Sequence, residues 1–396
     1  MGKCARSIGE TDSRRFSSGR SEPEMERAVT FCNRNTIAYY ITAHGFGHAV
    51  RSLEIIRNIL EMRKDLEVVI VSDLPDFLIE QNVGRRLSQR RKRLDVGLVQ
   101  QDSLRFDLEA TLRSLEALHR EKEALVAGEV EFLKSSGVGL VVSDISFLPF
   151  VASNRCGLPN VGIGNFTWDW IYASYAQREP RWAPLVEWIG ECCRACEILL
   201  QLPMHGDCSA CPHVMDVPLV ARKIRRTRED VRRILGVKPD RKAFLLSFVS
   251  LDLDEPAQRR VEALDDFIFL FKRPLDFCFK NALSVDGADL SYTDVVAAMD
   301  AVITKPGYGI TSDCLVSGVG MIYTDRGFFP EYEILVDEIE KRLPAIHIPS
   351  ADLYAGKWEK AIRGMEAFAP RAPSPPREDG AAVCARIILE RGGWGE

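Results

Sequence analysis

The chain has 396 residues, a length that favours two domains over one. Hydrophobic residues make up 46% and charged residues 28%, an ordinary globular balance, and a formal net charge of −5 argues against non-specific nucleic-acid binding. No uninterrupted apolar run approaches the ~18–20 residues that cross a bilayer.

Residues 1–30 carry Glu10, Asp12, Glu22, Glu24 and Glu26 without an apolar stretch, and read as a disordered extension rather than a secretory leader. The 11 cysteines, an odd number scattered from Cys4 to Cys384, favour reduced thiols and a cytoplasmic location over a disulfide framework.

The first strand pattern, Thr36–Thr42, runs into His-Gly-Phe-Gly-His and then a helical stretch, Ala49–Met62, with Leu53, Ile56 and Leu60 at helical spacing. A strand over Leu66–Val71 completes a β–loop–α–β unit, the building block of a parallel doubly wound sheet. Strands follow at Leu94–Val99, Gly139–Ser143, Asn160–Ile163 and Glu197–Leu202, with helices over Asp107–Ser135 and near Phe147–Asn154. His205–Arg228 reads as a loop with Pro212 and Pro218, ending in the basic string Arg222–Arg226. Thr227 then caps a helix over Arg228–Leu235, with Asp230 three residues on. A second series has strands at Ala243–Val249, Phe267–Phe271, Ala301–Thr304 and Met321–Tyr323, and helices at Tyr292–Met299, Ile310–Ser317 and Glu331–Lys341. Pro370–Pro376 is a spacer before a last helix, Gly380–Glu390. The expectation is α/β: an N-terminal half over 31–212, a linker at 213–226, a C-terminal half over 227–369 and a tail over 370–396.

The most informative segment runs from Tyr292 to Gly318. A buried strand ends in Lys305-Pro-Gly-Tyr-Gly309, and a helix starts at about Ile310. Gly307 and Gly309 let the backbone turn sharply and approach a ligand without Cβ obstruction. The free N–H groups and positive end of that helix would hold a diphosphate, Lys305 adds a point charge, and Asp313 is placed to accept ribose hydroxyls. The plain alternative is a strand–helix turn with a solvent-facing lysine.

The stretch DVVAAMDAVITKPGYGITSDCLVSGVGMIYTDRGFFPEYEIL resembles the donor-site region of GT-B glycosyltransferases of the peptidoglycan N-acetylglucosaminyltransferase type. It resembles more closely the glycosyltransferase-like N-terminal region of plant L-arabinokinase. The resemblance extends to Ala43-His-Gly-Phe-Gly-His-Ala-Val-Arg51, a Gly-rich first loop ending in a histidine, and to Gly164-Asn-Phe-Thr-Trp-Asp-Trp-Ile-Tyr172. It implies a GT-B fold, two doubly wound Rossmann-like domains facing across a cleft. It also implies a metal-independent and inverting sugar transfer from a nucleotide-diphosphate sugar, UDP-sugar foremost, to a small-molecule, glycan or lipid-linked acceptor.

Within that resemblance His48 is the candidate base, with Asp144 to orient it. His44 as the functional histidine, and Asp144 as a helix cap, are alternatives. Donor contacts fall to Lys305, Gly307, Tyr308, Gly309, Ile310, Thr311, Asp313, Arg326 and Glu331, and acceptor contacts to His44, Gly45, Phe46, Gly47, Asn165, Trp168 and Asp169. Neither a metal nor a cofactor is called for, because helix dipole and cationic side chains supply the electrostatics. Where relatives carry a Gly pair after the first strand of the second half, this chain has Val249 and Ser250, which leaves a non-catalytic nucleotide-sugar-binding module as the alternative. Cys193-x-x-Cys196 and Cys208-x-x-Cys211 have zinc-like spacing, but a strand falls between the pairs and reduced thiols are the preferred reading. The basic run 85–93 reads as a solvated face, with peripheral contact to an anionic membrane surface as the alternative.

Overall fold

The computed structural model describes residues 35–42, 44–83, 87–368 and 377–395. The N-terminal extension, the Pro-rich spacer, Ala43, Arg85 and Arg86 lie outside the described residues. The described residues form one compact unit built on two sheets.

The first sheet contains β1 (Thr36–Ile41), β2 (Glu67–Val71), β3 (Ser88–Arg90), β4 (Val138–Asp144), β5 (Asn160–Gly164), β6 (Leu199–Gln201) and β7 (Val214–Asp216). The second contains β8 (Lys242–Ser247), β9 (Phe267–Phe271), β10 (Ala282–Ser284), β11 (Ala301–Thr304), β12 (Gly320–Thr324) and β13 (Ala345–Ile348). Their orders are β3-β2-β1-β4-β5-β6-β7 and β10-β9-β8-β11-β12-β13, and every ladder between them is parallel. Helices cover both faces, which is why central strands such as β4 are buried at every residue and apolar on both faces up to the polar Ser143-Asp144 end. In each sheet the winding reverses beside the first strand, at β1/β4 and at β8/β11. The crevice outside the carboxyl ends of those strands is where ligands of doubly wound sheets bind.

Several elements differ from the sequence reading. Leu94–Val99 is not a strand; this segment crosses the carboxyl edge of the first sheet and bonds to side chains instead of a ladder. Leu98 N–H donates to His44 Nδ1 (3.2 Å) and Val99 N–H to Thr111 Oγ1 (2.9 Å). The strand falls earlier, at β3 inside the basic run, where Arg90 reaches back to the buried carboxylate of Glu129 at 2.8 Å. β7 lies in what reads as a loop, because a three-residue exposed strand is too short to show an alternating pattern. β13 and the helices Ser350–Tyr354 and Glu359–Met365 extend the second half beyond the sequence-derived elements.

Caps follow the sequence where the chemistry is local. Asp107 accepts from Ala110 N–H, Thr227 from Asp230 N–H and Ser291 from Asp294 N–H at the starts of their helices. The last helix, Gly380–Arg391, returns to the first half and packs along the helix Phe46–Met62. Arg63 donates to the Trp394 carbonyl at 2.6 Å beyond it. Cys384, Ala385, Ile388 and Leu389 join one apolar cluster with Ile55 and Ile59 of the first half and Leu245 and Val302 of the second. The tail helix thus ties the halves through shared core. Ile388→Ala should cost about 2–5 kcal/mol, the range for a buried aliphatic truncation. In chemical denaturation the loss should appear as one earlier transition; an unchanged midpoint would mean that the tail helix carries no stability.

Candidate active site

Two helices begin at the switch points of the two sheets, and both start without a cap. Helix Phe46–Met62 is preceded by Gly45 (φ 83°) and helix Tyr308–Ser317 by Gly307; neither has a side-chain cap or an acidic residue in its first turn. The second helix starts at Tyr308, two residues earlier than its sequence pattern, and ends at Gly318 in the left-handed region (φ 69°). The two helix starts meet. A methyl group built on Gly309 would lie 3.2 Å from Cα of Gly47, and one on Gly47 would lie 3.4 Å from the Gly309 nitrogen. Two positive dipole ends with N–H groups lacking intrahelical partners therefore face one crevice at a separation that leaves little room for a side chain at either glycine.

His48, Arg51 and Ser52 lie on one face of the first helix, at i, i+3 and i+4, and all three converge on Asp144 at the end of β4. His48 Nδ1 is 3.0 Å from Asp144 Oδ1, Arg51 makes two bonds to the carboxylate at 2.8 and 2.7 Å, and Ser52 Oγ donates at 2.8 Å. Burial raises the Asp144 carboxyl's pKa, but the Arg51 charge and its hydrogen bonds outweigh that, with His48 adding to them, and hold the pKa well below the usual carboxylate range. Asp144 is followed by Ile145 at φ 54°, an uncommon conformation for a β-branched residue, as the chain turns sharply off the strand.

Arg51 Nη2 also lies 2.9 Å from His48 Nδ1. The ring nitrogen either donates to Asp144 or accepts from Arg51. The first arrangement leaves Nε2 free as a base. His48 keeps 12% of its side chain exposed. His44 differs. Its Nδ1 accepts the Leu98 N–H, which puts its proton on Nε2, a buried atom without a partner. Burial, then the neighbouring charges of His48, Arg326 and Lys305, push its pKa well down and keep it neutral. In this state it is a donor.

The polar network continues across the crevice. Arg51 Nη1 donates to Asn165 Oδ1 (2.7 Å), Asn165 Nδ2 to Glu331 Oε1 (2.8 Å), and Arg326 Nη1 to Glu331 Oε2 and the Pro306 carbonyl, both at 3.0 Å. The Arg51 guanidinium also sits 5.0 Å from the centre of the Tyr308 ring. Asn165 and Glu331, assigned by sequence to opposite partners, thus bond to each other.

Lys305 lies in the same crevice. Burial, with the Arg326 charge, lowers its pKa to about 7 against the opposing pull of Asp102 and Glu331. Asp313 is 2% exposed; its carboxylate pairs with Arg222 and lies 3.3 Å from Thr293 Oγ1, so a ribose would have to displace these partners. Thr311 is fully buried, Gly307 and Ile310 are half-buried, and Phe46 is 41% exposed beside the first loop. Val249 stands 47% exposed, while Ser250 hydroxyl and N–H both bond Ser103 Oγ, at 3.1 and 2.9 Å.

Trp168 and Asp169 do not form the open acceptor platform that the sequence suggests. Trp168 is fully buried, stacked on Tyr172 and edge-on to His44, and Asp169 is half-buried with Cys193 Sγ 3.9 Å away. The apolar face of their helix packs into the first half and takes them inward. Conversely, the sequence reading missed Arg51, Ser52 and Arg222. The first two carry a legible signal, polar residues one turn after His48 on an otherwise apolar face.

Solved structures with this arrangement are glycosyltransferases, and the chain has their GT-B fold. They include the glycotransferase of kitacinnamycin (TM-score 0.58, 15% identity, 91% of this chain and 100% of that one). Another is CalG4, the calicheamicin glycosyltransferase (TM-score 0.56, 16% identity, 92% and 96%). A third is Arabidopsis thaliana UGT89C1 complexed with UDP-L-rhamnose (TM-score 0.56, 13% identity, 91% and 100%). Among curated proteins the chain is similar to L-arabinokinase of Arabidopsis thaliana, 30% identical over 383 residues. That match takes in 92% of this chain but 35% of the relative, so the chain spans about a third of the protein it resembles. No protein-family model matches the chain. No helix among the described residues is long and apolar enough to cross a membrane.

Gly97 (φ 67°) packs under the His44 ring: a methyl group there would lie 2.5 Å from it. Gly97→Ala should therefore lower thermal stability by several degrees, through backbone strain of about 1 kcal/mol plus the clash. It should also shift the His44 ring resonances in NMR. A variant with wild-type melting and unmoved His44 signals would show that this packing is not rigid.

Proposed function

We propose that the chain is a glycosyltransferase that takes a sugar from a nucleotide-diphosphate sugar, UDP-sugar foremost, without a metal in the transfer step, and inverts the anomeric centre. The observation that carries the reading is the meeting of two uncapped helix N-termini at Gly47 and Gly309, with the His48–Asp144 pair on one side and Lys305 on the other. In this scheme His48 Nε2 takes the acceptor hydroxyl proton as that oxygen attacks the anomeric carbon. The bond from that carbon to the diphosphate oxygen breaks, and its electron pair leaves with the diphosphate. Asp144, held ionised by Arg51, keeps His48 Nδ1 protonated and stabilises the imidazolium. Lys305, the amides from Gly307 to Ile310 and the His44 Nε2–H supply the charge that offsets the leaving group. Asp313 reaches the ribose only if Arg222 yields it.

A second reading, a GT-B module that binds a nucleotide sugar or a partner for regulation, is favoured by the close approach of Gly47 to Gly309 and by Val249 where a Gly would admit the donor. Catalysis requires the crevice to open by the thickness of a diphosphate; regulation requires only that binding shift its closure. The basic residues Arg90, Arg91 and Arg93 have carboxylate neighbours in Glu129, Asp76 and Asp73, which supports a solvated face over a membrane contact.

Thermal-shift screening against UDP, GDP, TDP and ADP tests the donor site. At a hundredfold excess over Kd a bound nucleotide adds about 2.7 kcal/mol of stability. With the donor known, His48→Ala should abolish transfer and leave nucleotide affinity within about twofold, whereas a flat thermal response to all four at millimolar concentration would sink both readings of the donor site.

The pH dependence follows from Lys305. In the free protein it loses its proton above about 7, while a diphosphate beside it restores the charge, so binding above that pH takes up a proton. Nucleotide affinity should weaken as pH rises, by up to about tenfold per unit from 7 to 9. Lys305→Met should bind more weakly and lose that slope in titration calorimetry; an unchanged slope would remove Lys305 from the donor site.

A further inference from the structure

The two Cys-x-x-Cys pairs have no part in the proposed transfer, and the strand between them argues in sequence against a joint site. The folded chain reverses that argument. β6 begins three residues after Cys196, β7 begins three residues after Cys211, and the two strands lie side by side, with Leu199 N–H donating to the His213 carbonyl at 2.8 Å. The pairing that separates the cysteines along the chain is what stacks their turns in space. Both turns have the same form: Cys196 N–H donates to the Cys193 carbonyl and Cys211 N–H to the Cys208 carbonyl, each at 3.0 Å. All four cysteines are 1–4% exposed. Cys193, Cys196 and Cys208 each interact electrostatically with the Cys211 thiol.

The geometry points to a structural zinc site of Cys193, Cys196, Cys208 and Cys211, in which each Cys-x-x-Cys turn supplies two thiolates to one tetrahedral ion. Among the described residues no three metal-ligating side chains already stand as a closed set, so binding needs the sulfurs to turn about single χ1 bonds while the backbone turns stay in place. Each thiol gives its proton to solvent as its zinc–sulfur bond forms, and the resulting net charge of −2 has to be offset by N–H donors around the two turns. Free buried thiols need none of this pairing of turns.

The place of the site gives it a consequence. Between the pairs runs the loop 202–207, which lies against the candidate crevice. Gly206 N–H donates to the Asn165 carbonyl at 2.8 Å, and Asn165 Nδ2 lies 3.5 Å from the Met204 carbonyl. Zinc would hold that loop, and through it Asn165, against the Arg51–Glu331 network. It acts as a fastener at the acceptor side and takes no part in the sugar transfer.

Metal analysis of reduced protein purified from zinc-supplemented culture reads the proposal directly. About one zinc per chain is expected, falling below about a tenth in the double variant Cys193→Ser/Cys211→Ser and persisting in Cys192→Ser, a buried neighbour outside the set. If the double variant fails to fold, cobalt added to chelator-treated wild type still decides: thiolate charge-transfer bands with the visible spectrum of tetrahedral cobalt are expected. Wild-type protein with under about a tenth of a zinc per chain and an octahedral cobalt spectrum would overturn it. So would a disulfide from Cys211 to Cys193 or Cys196 in peptide mass spectrometry of the protein as isolated, or equal zinc loss in Cys192→Ser.

Discussion

Two helix starts brought into backbone contact, Gly47 against Gly309, are the constraint on which the rest of the structure depends. Their N–H groups lack internal partners, and their dipole ends repel unless something negative lies between them or the surrounding packing holds them together. Packing does so here. The tail helix spans both halves, and the apolar cluster that includes Ile388 runs through both sheets. The fold thereby stores an electrostatic preference for an anion at the point where its halves touch.

The polar network has the same logic. Arg51 is the hinge: it neutralises Asp144, competes for His48 Nδ1, stacks on Tyr308 and reaches Asn165, which hands the connection to Glu331 and Arg326. A change in the charge state of the crevice is therefore felt in both halves. Breaking such a buried pair strands the remaining charge, which is why nearly every member has a second partner. Lys305 is the exception, a buried cation that depends on ions at a distance, and it is the group most sensitive to what enters.

The β6–β7 ladder brings together two turns that lie 15 residues apart along the chain. Separation along the sequence looks like separation in space until the strand pairing is known. Trp168 shows the opposite error: aromatic residues beside a candidate loop look available, yet their helix turns them into the core.

Legible in the residues alone were the alternation of strand and helix, the capped helix start at Thr227, the glycine turns at 45–47 and 307–309, and His48 with Asp144 as a pair. Those features rest on local chemistry: periodicity, capping geometry and the conformational freedom of glycine. Only the folded arrangement shows that Arg51 and Ser52 face Asp144, that Asp313 is held by Arg222, that Asn165 and Glu331 meet, and that the strands after the two Cys-x-x-Cys turns pair. These depend on strand order and on the approach of two helices from different sheets. Contacts between residues 90 to 170 positions apart leave no periodic trace in either partner's neighbourhood.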